Sequence, residues 1–315
     1  MSQHVILGKG PVGSTTARML VERGENVRVL SRSGGRDADG ITHVAVDAGD
    51  ADALRGVTAD ADVVYNCANP AGYHLWEQEW PRMAGALLDA AESAGAVLVT
   101  MSCLYGYGPA ARVMTEDTPL AAEGVKGRLR SGMWNEALAR HRAGRLRVTE
   151  ARASDFFGPG PTANAVIGER VVPRVLRGKS VSLFGDVDVP HSFTYMPDVA
   201  RTLVRLGTDE RAWGQAWHVP SAPALSQREM VAAIARVAGV PMVKVGRLPW
   251  FMLINVLGAV QPAMRGFTET RHQWDLSFEM DSSRYTEAFG ETATGLDEAL
   301  RETVAWWQAK TAVAA

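Results

Sequence analysis

The sequence has little that would mark it for a membrane, a nucleic acid or a metal. Its 315 residues include only two cysteines, Cys67 and Cys103, which cannot form a disulfide framework and do not lie in a zinc-ligand spacing. Lysine and arginine total 33 against 35 aspartates and glutamates, so no excess of one charge attracts nucleic acid or an anionic membrane. We therefore expect a small-molecule substrate, and no metal, nucleic-acid or membrane partner.

Long hydrophobic runs are also missing. The most apolar stretch, PWFMLINVLGAVQP at residues 249–262, has about a dozen residues between its prolines, whereas roughly 20 are needed to span a bilayer. The N-terminus enters an apolar strand without a basic segment or a cleavage site. These absences predict a cytoplasmic protein, and they favour a buried helix for the apolar stretch over a membrane-surface segment.

Hydrophobic periodicity indicates an α/β fold. Apolar runs of strand length alternate with segments of helical period through the first two-thirds of the chain, which is typical of a parallel sheet with crossover helices. We predict a Rossmann-type, doubly wound parallel sheet, followed by a smaller C-terminal lobe. The expected strands cover residues 4–8, 27–30, 42–46, 63–66, 96–101, 147–153 and 216–219.

A glycine-rich loop follows the first expected strand. Gly8, Gly10 and Gly13 form the pattern G-x-G-x-x-G between a strand and a helix. In this context one glycine makes the turn, one lets the backbone approach a pyrophosphate and one lets the helix pack on the strand, with the helix N-terminus facing the phosphates. The pattern predicts a dinucleotide site formed by Gly8, Lys9, Gly10, Pro11, Val12 and Gly13.

The end of the second strand indicates which dinucleotide binds. A site for NAD normally offers a carboxylate to the ribose 2′-hydroxyl, but this chain reads LSRSGGR, with no carboxylate before Asp37. Ser31 and Arg32, joined by Lys9, would instead meet the 2′-phosphate of NADP, so we expect NADP (NADPH) as the cofactor. The alternative for Arg32 is a solvated loop residue. Asp47, at the end of the third strand, either contacts the adenine edge or caps a turn.

Further segments resemble the extended short-chain dehydrogenase/reductase superfamily, the group that contains nucleotide-sugar epimerases and dehydratases. YNCAN at residues 65–69 is similar to its cofactor-flanking loop, VTMSCLYGYGP at 99–109 to its serine-bearing turn, and SDFFGPG at 154–160 to the stretch that meets the nicotinamide. The resemblance runs through nearly the whole chain. It implies a Rossmann domain with a substrate lobe that binds NAD(P) and works on a carbonyl or an alcohol.

The same resemblance implies further site residues. Cys67, Ala68 and Phe156 join the expected cofactor site, and Ser102 becomes the residue that hydrogen-bonds the reacting oxygen. Thr100 competes for this role, because the serine stands one residue nearer the following tyrosine than is usual; a local bond at the strand end is the alternative for Ser102. We assign 1–155 and 181–220 to an NADP-binding Rossmann domain, and 156–180 and 221–315 to a substrate-binding lobe. The resemblance is compatible with a homodimer.

The defining pair of this superfamily is absent from the expected helix. The pair is a tyrosine followed four positions later by a lysine, but the segment KGRLRSGMWNEAL, residues 126–138, contains no tyrosine. Alignment of Glu136 with the glutamate that commonly follows the pair puts Arg128 and Gly132 at the two positions. An arginine cannot act as a general acid near pH 7, because its guanidinium does not release its proton. The usual proton donor is therefore missing.

Three replacements for the missing acid remain open. Tyr105 or Tyr107 could donate from the turn after the fifth strand, Lys126 could do so with a lowered pKa, or the substrate hydroxyl could act itself beside cationic groups. A positioned general acid contributes about 10² to 10⁴ in rate, whereas proximity supplies effective molarities of about 10⁵ or more. Loss of the tyrosine therefore weakens a reductase without excluding one. We predict Ser102 and Tyr105 as the catalytic residues.

The leading interpretation of the sequence is an NADP-dependent oxidoreductase that reduces a ketone on a bulky or aromatic small molecule by hydride transfer. Aromatic and apolar side chains in the segments expected near the substrate favour this class of ligand. These are Trp76, Trp80, Trp134, Phe156, Phe157, Trp250, Phe251 and Met252. One alternative is a nucleotide-sugar epimerase or dehydratase, and the other is a non-catalytic NADP-sensing protein.

Overall fold

The computed structural model describes residues 1–109, 113–160, 165–257 and 266–313. The chain forms two compact units. The first unit comprises Met1–Gly108, Pro119–Ala153 and Val199–Val219, and the second comprises Pro109–Thr118, Ser154–Asp198 and Pro220–Ala315. Residues 109–118 and 181–198, which the sequence analysis assigned to the Rossmann domain, therefore belong to the second unit.

The strands and helices follow one another along the whole chain. The strands are β1 (Gln3–Leu7), β2 (Asn26–Ser31), β3 (Ile41–Ala45), β4 (Val63–Asn66), β5 (Val97–Cys103), β6 (Arg147–Ala153), β7 (Asp155–Phe157), β8 (Val181–Phe184), β9 (Pro190–His191), β10 (Phe193–Tyr195), β11 (Ala216–His218), β12 (Leu225–Ser226) and β13 (Val245–Leu248). The α-helices are α1 (Pro11–Glu22), α2 (Ala51–Thr58), α3 (Trp76–Ala94), α4 (Val125–Arg142), α5 (Val172–Leu176), α6 (Met196–Thr208), α7 (Gln227–Val237), α8 (His272–Asp275), α9 (Ser283–Phe289) and α10 (Leu296–Val313).

A seven-stranded parallel sheet forms the centre of the first unit. Its strand order is β11-β6-β5-β4-β1-β2-β3, so the chain winds outwards in both directions from β1 and β4. Parallel sheets are covered on both faces, which is why these strands read as continuous apolar runs rather than alternating ones. Each of the seven expected strands is present within a few residues, and the predicted doubly wound Rossmann fold is confirmed.

One hydrophobic core holds α3 and α4 against this sheet. Val64 of β4 and Leu98 of β5 are buried with Leu87 of α3 and Trp134 of α4. Helix α3 ends at Gly95, whose φ of 63° is a left-handed conformation that glycine adopts without a steric cost. The chain then turns directly into β5, so the loops that follow β1, β4 and β5 lie at one edge of the sheet.

The second unit contains small sheets packed with helices. Strands β7 and β10, β9 and β12, and β8 and β13 form three separate pairs. Its core joins Val172 of α5, Ile234 of α7 and Leu300 of α10. Helix α7 begins with a capping box between Ser226 and Glu229, which satisfies two backbone N–H groups.

The apolar stretch at 249–262 lies in the second unit. Trp250 and Leu253 are buried against Trp274, whereas Phe251 is exposed. Residues 252–257 form a π-helical turn, and residues 258–262 of the stretch lie outside the described residues. Among the residues that the structure describes, none of the helices has the length and apolar character needed to cross a bilayer.

Candidate functional site

The glycine loop between β1 and α1 has no room for side chains at two of its three glycines. Gly8 has a φ of 109°, and a Cβ there would lie 2.8 Å from the carbonyl oxygen of Cys67 and 2.9 Å from the backbone nitrogen of Ala68. A Cβ at Gly13 would lie 1.9 Å from the carbonyl oxygen of Gly8. The first glycine thus lets the loops after β1 and β4 meet, and the third lets α1 pack on its own entry loop.

The remaining glycine faces open space. A Cβ at Gly10 would meet no described atom within 4 Å. Gly10 is the N-cap of α1, it supplies no side-chain hydrogen bond to the helix, and the first turn holds no acidic residue. Unpaired N–H groups and the positive end of the helix dipole therefore face this space, which fits the pyrophosphate of a dinucleotide. Pro11 and Val12 open the helix behind it.

Lys9 ties the glycine loop to the loop after β2. Its Nζ donates to Ser33 Oγ at 2.7 Å and to the carbonyl oxygen of Gly34 at 2.8 Å. Ser31 Oγ also donates to Gly34, at 3.2 Å, and Arg32 is exposed beside it. The two cationic groups are therefore presented from one short loop, whereas the first carboxylate after β2 is occupied by a backbone N–H further along the chain.

Three other residues of the expected cofactor site lie elsewhere. Asp47 accepts from Gly49 N at 2.9 Å and pairs with Arg82 at 3.2 Å, so it caps a turn beyond β3. Burial raises the pKa of the Cys67 thiol to about 12, so this thiol stays protonated and is not a nucleophile. Phe156 is half-buried on β7 in the second unit, opposite Thr194 of β10.

Ser102 and Thr100 occupy different heights on β5. Ser102 is the penultimate residue of the strand, is buried, and lies opposite Arg152 of β6. Thr100 lies one pleat earlier, where it lines a small internal cavity of about 20 Å³ with Asn66 and Trp134. Ser102 is thus the one nearer the carboxyl edge of the sheet, where ligands of doubly wound folds bind.

The two tyrosines after β5 have different surroundings. Tyr107 is buried; its hydroxyl lies 2.7 Å from His218 Nε2 and accepts from Arg152 Nη1 at 2.8 Å. Tyr105 is half-buried, and its hydroxyl lies 2.9 Å from the hydroxyl of Tyr73. Tyr107 is therefore part of an internal network, and of the two candidates Tyr105 is the one with access to a ligand.

Helix α4 presents a different pair of residues from the pair expected. Lys126 and Arg130, four residues apart, are only 3% and 5% exposed, whereas Arg128 and Gly132 are on the exposed face. The alignment through Glu136 is therefore wrong by half a turn. Positions 126 and 130 face the tyrosine turn, since residues four apart lie on one side of a helix.

Lys126 and Arg130 are held by aromatic rings. Lys126 Nζ lies 3.9 Å from the centre of the Tyr73 ring, and the Arg130 guanidinium carbon lies 4.9 Å and 4.6 Å from the rings of Trp76 and Trp80. Arg130 Nη2 donates to Asn69 Oδ1 at 2.7 Å. These contacts desolvate both cations while the ring faces attract them. The expectation that this basic stretch is a solvated face is wrong for these two residues.

A family model provides the comparison that decides the relationship. The model described as the NAD dependent epimerase/dehydratase family matches residues 5–219, which is more than half of the chain. The chain belongs to this family. The matched residues include the glycine loop, the turn after β5 and helix α4. No curated protein sequence matches the chain.

Solved structures of the same fold cover almost the whole chain. MoeE5 in complex with UDP-glucose and NAD is 24% identical over 98% of this chain and 99% of its own, with a TM-score of 0.78. A dTDP-glucose 4,6-dehydratase from Bacillus anthracis in complex with NAD is 18% identical over 98% and 97%, with a TM-score of 0.81. A UDP-glucose 4-epimerase from Thermotoga maritima with UDP-glucose is 18% identical over 98% and 99%, with a TM-score of 0.80. At these identities the likeness shows the fold.

Proposed function

We propose that the protein is a nicotinamide dinucleotide-dependent enzyme of the epimerase/dehydratase type, which transfers a hydride to and from a carbon of a nucleotide-linked sugar. The observation that carries this proposal is the open space at Gly10 in front of the uncapped N-terminus of α1. Membership of the family supports the reaction type. The solved neighbours with UDP-glucose or a dTDP-glucose activity support the substrate class.

Reduction of a bulky aromatic ketone, favoured by the sequence, is now the weaker candidate. Trp76 and Trp80 are buried and stack on Arg130, and Trp134 is buried in the core beside the sheet. These side chains are used in packing, so they no longer favour an aromatic ligand. The main objection to sugar chemistry was the missing tyrosine, and Tyr105 supplies a phenol on the neighbouring turn.

The cofactor, when bound, would supply and accept the hydride. The glycine loop would hold the pyrophosphate on the N–H groups at the start of α1. Ser102 would donate a hydrogen bond to the reacting oxygen of the sugar and fix its orientation. Tyr105 would give its hydroxyl proton to that oxygen when the carbon is reduced, and take it back when the carbon is oxidised.

NADP is our proposal for the preferred dinucleotide. Lys9 has three N–H donors, of which Ser33 and Gly34 occupy two, so one is available to a phosphate. Arg32, exposed in the same loop, adds a second cation at the position where an NAD site would offer a carboxylate. Both cations would neutralise the 2′-phosphate.

The test uses the purified full-length chain with NAD or NADP and with UDP-glucose or dTDP-glucose. Nuclear magnetic resonance of the sugar products should show an epimer or a 4-keto-6-deoxy sugar. Tyr105→Phe should lower turnover by about 10² to 10⁴, while fluorescence titration shows that NADPH still binds. Reduction of aromatic ketones with no change of the sugars would overturn the substrate class. Tight NADPH binding without turnover of any substrate would indicate a sensor.

A further inference from the structure

Three side chains from three different elements meet beside the turn after β5. Tyr73 opens a short 3₁₀ turn, Tyr73–Leu75, ahead of α3, and Tyr105 lies in the turn Leu104–Tyr107. Lys126 lies in the first turn of α4. The two hydroxyls are 2.9 Å apart and Lys126 Nζ is 3.9 Å from the centre of the Tyr73 ring. We call these three residues the Tyr73 cluster.

A glycine allows α4 to approach the tyrosine turn this closely. A Cβ at Gly127 would lie 2.5 Å from the carbonyl oxygen of Tyr105, so the first turn of the helix packs directly against the backbone of Tyr105. The backbone N–H of Ala122, just before the helix, also donates to the carbonyl oxygen of Gly106 at 3.1 Å. Lys126 is therefore fixed next to the two phenols by the backbone, and not by a chance side-chain rotamer.

The burial of Lys126 has a chemical consequence. Its side chain is 3% exposed, and an ammonium removed from water needs compensation from nearby groups. The face of the Tyr73 ring supplies part of it, and any negative charge that forms on a neighbouring phenol would supply more. The site is thus arranged to stabilise a phenolate beside an ammonium.

We propose that Tyr73 and Lys126 equip Tyr105 for proton transfer, in place of the tyrosine that α4 lacks. When Tyr105 protonates the substrate oxygen, its O–H bond breaks, a substrate O–H bond forms and the electron pair stays on the Tyr105 oxygen. The Tyr73 hydroxyl donates its hydrogen bond to that oxygen, and the Lys126 ammonium balances its charge. Tyr105 is the catalytic residue, and Tyr73 and Lys126 are positioning residues; these roles rest on the proposed function.

Other ionisable groups on the same elements define what must be held constant. His74 and Glu77 follow Tyr73, Cys103 precedes the tyrosine turn, and Arg128 and Arg130 follow Lys126 on α4. Of these, Arg130 reaches the aromatic cluster, through Trp76, whose ring is 6.3 Å from that of Tyr105. All five remain unchanged in the variants below.

The first experiment needs neither substrate nor cofactor. The protein has six tyrosines, of which Tyr65, Tyr107, Tyr195 and Tyr285 are buried, so Tyr73 and Tyr105 should be the first to ionise as the pH rises. With ¹³C in the ring carbon that bears the hydroxyl, magnetic resonance follows each phenol separately. Tyr73→Phe and Lys126→Met should each move the ionisation of Tyr105 to higher pH, by about one unit, because each removes a group that stabilises the phenolate.

Two controls separate this effect from a general disturbance. Lys126→Arg keeps the charge and should restore most of the wild-type titration. Lys310→Met removes a lysine whose Nζ lies 4.8 Å from the ring centre of Trp306, a similar contact elsewhere in the chain, and should leave Tyr105 unchanged. A Tyr105 titration that is the same in wild type, Tyr73→Phe and Lys126→Met would overturn the proposal. If Lys126→Met does not fold, Tyr73→Phe alone decides.

The second experiment uses turnover of UDP-glucose or dTDP-glucose with NADP. Tyr73→Phe keeps the ring under Lys126, so KM should change little while kcat falls by about 10-fold to 100-fold and its pH profile moves to higher pH. A wild-type kcat and profile would contradict the inference while leaving the proposed function intact. If the wild type turns over neither sugar, the proposed function fails, and the titration of the phenols still decides whether the Tyr73 cluster stabilises a phenolate.

Discussion

Arg152 Nε donates to Glu150 Oε1 at 2.7 Å, two residues away on the same strand, with both side chains almost fully buried. Burial alone would lower the pKa of Arg152, but Glu150 and the Tyr107 hydroxyl outweigh it and leave this pKa raised. The strand β6 therefore carries a charged pair beneath the candidate site. Tyr107 joins it to His218 of β11, so four polar groups support the carboxyl edge of the sheet.

Removal of one partner of this pair should be far more damaging than removal of both. Arg152→Met would leave Glu150 buried without its counter-charge, and we expect a loss of about 3–5 kcal/mol in the free energy of unfolding. Arg152→Met combined with Glu150→Met should recover most of it, measured by urea denaturation. Arg236→Met, which breaks an exposed pair with Asp297, is the matched control and should change little. A double variant as unstable as the single one would contradict this reading.

The glycine loop offers a pair of substitutions with opposite consequences. Gly10→Ala places a methyl group in open space, at a φ of −69° that alanine tolerates, so thermal stability should be unchanged. Because the methyl group would occupy the expected pyrophosphate position, we expect NADPH affinity to fall at least about 10-fold. Gly13→Ala would collide with Gly8 and should reduce both stability and binding. Wild-type NADPH affinity in Gly10→Ala would show that the phosphates do not lie there.

The loop after β2 should set the choice between NADP and NAD. Arg32→Ala should weaken NADP by about 10-fold or more with little effect on NAD, because it removes a cation that only the 2′-phosphate requires. Lys9→Met should weaken both dinucleotides, since Lys9 also holds Ser33 and Gly34 in place. Dissociation constants from fluorescence titration measure this, with Arg23→Ala at the other end of α1 as control. Equal losses of NAD and NADP in Arg32→Ala would remove Arg32 from the site.

The sheet and the glycine loop were predictable because their signals are local. Buried strands such as β4 read as short apolar runs, and the spacing of Gly8, Gly10 and Gly13 states which backbone contacts they must make. The division into units was less predictable. Residues 181–198 follow the Rossmann-like segments in sequence, but β8 pairs with β13, which lies much later in the chain.

The inward face of α4 could not be read from its own residues. Cations surround this helix, so its apolar pattern does not show which of them turn inward, and Glu136 gave a false alignment. Lys126 and Arg130 are buried because rings from residues 73–80 cover them, more than 45 residues earlier in the chain. Tyr73 carried no local signal either. The four-residue spacing of the two cations around Gly127 was the only clue, and its meaning depends on contacts distant in sequence.

Stability should depend on pH through His4. His4 is fully buried on β1, with Nδ1 3.1 Å from the Tyr65 hydroxyl, and burial lowers its pKa against the opposing effects of Glu25 and Asp62. The unfolded chain therefore binds this proton more readily, so the contribution of His4 is full above about pH 6.5 and is lost as the pH falls. His4→Phe should flatten the dependence of the unfolding free energy between pH 7 and pH 5, measured by urea denaturation at each pH. Parallel curves for the two proteins would rule out His4 as the source.

The thiol beside the glycine loop should be unreactive while the protein is folded. Burial raises the pKa of Cys67 to about 12, so at pH 8 only about 10⁻⁴ of it is thiolate, roughly 10³ less than for an ordinary cysteine. In Cys103→Ser, Cys67 is the only remaining thiol. Iodoacetamide should therefore modify this variant very slowly at pH 8, and at the rate of a free cysteine once urea unfolds it. Rapid alkylation of the folded variant would mean that Cys67 is ionised, and its place in the loop against Gly8 would then need a nearby cation.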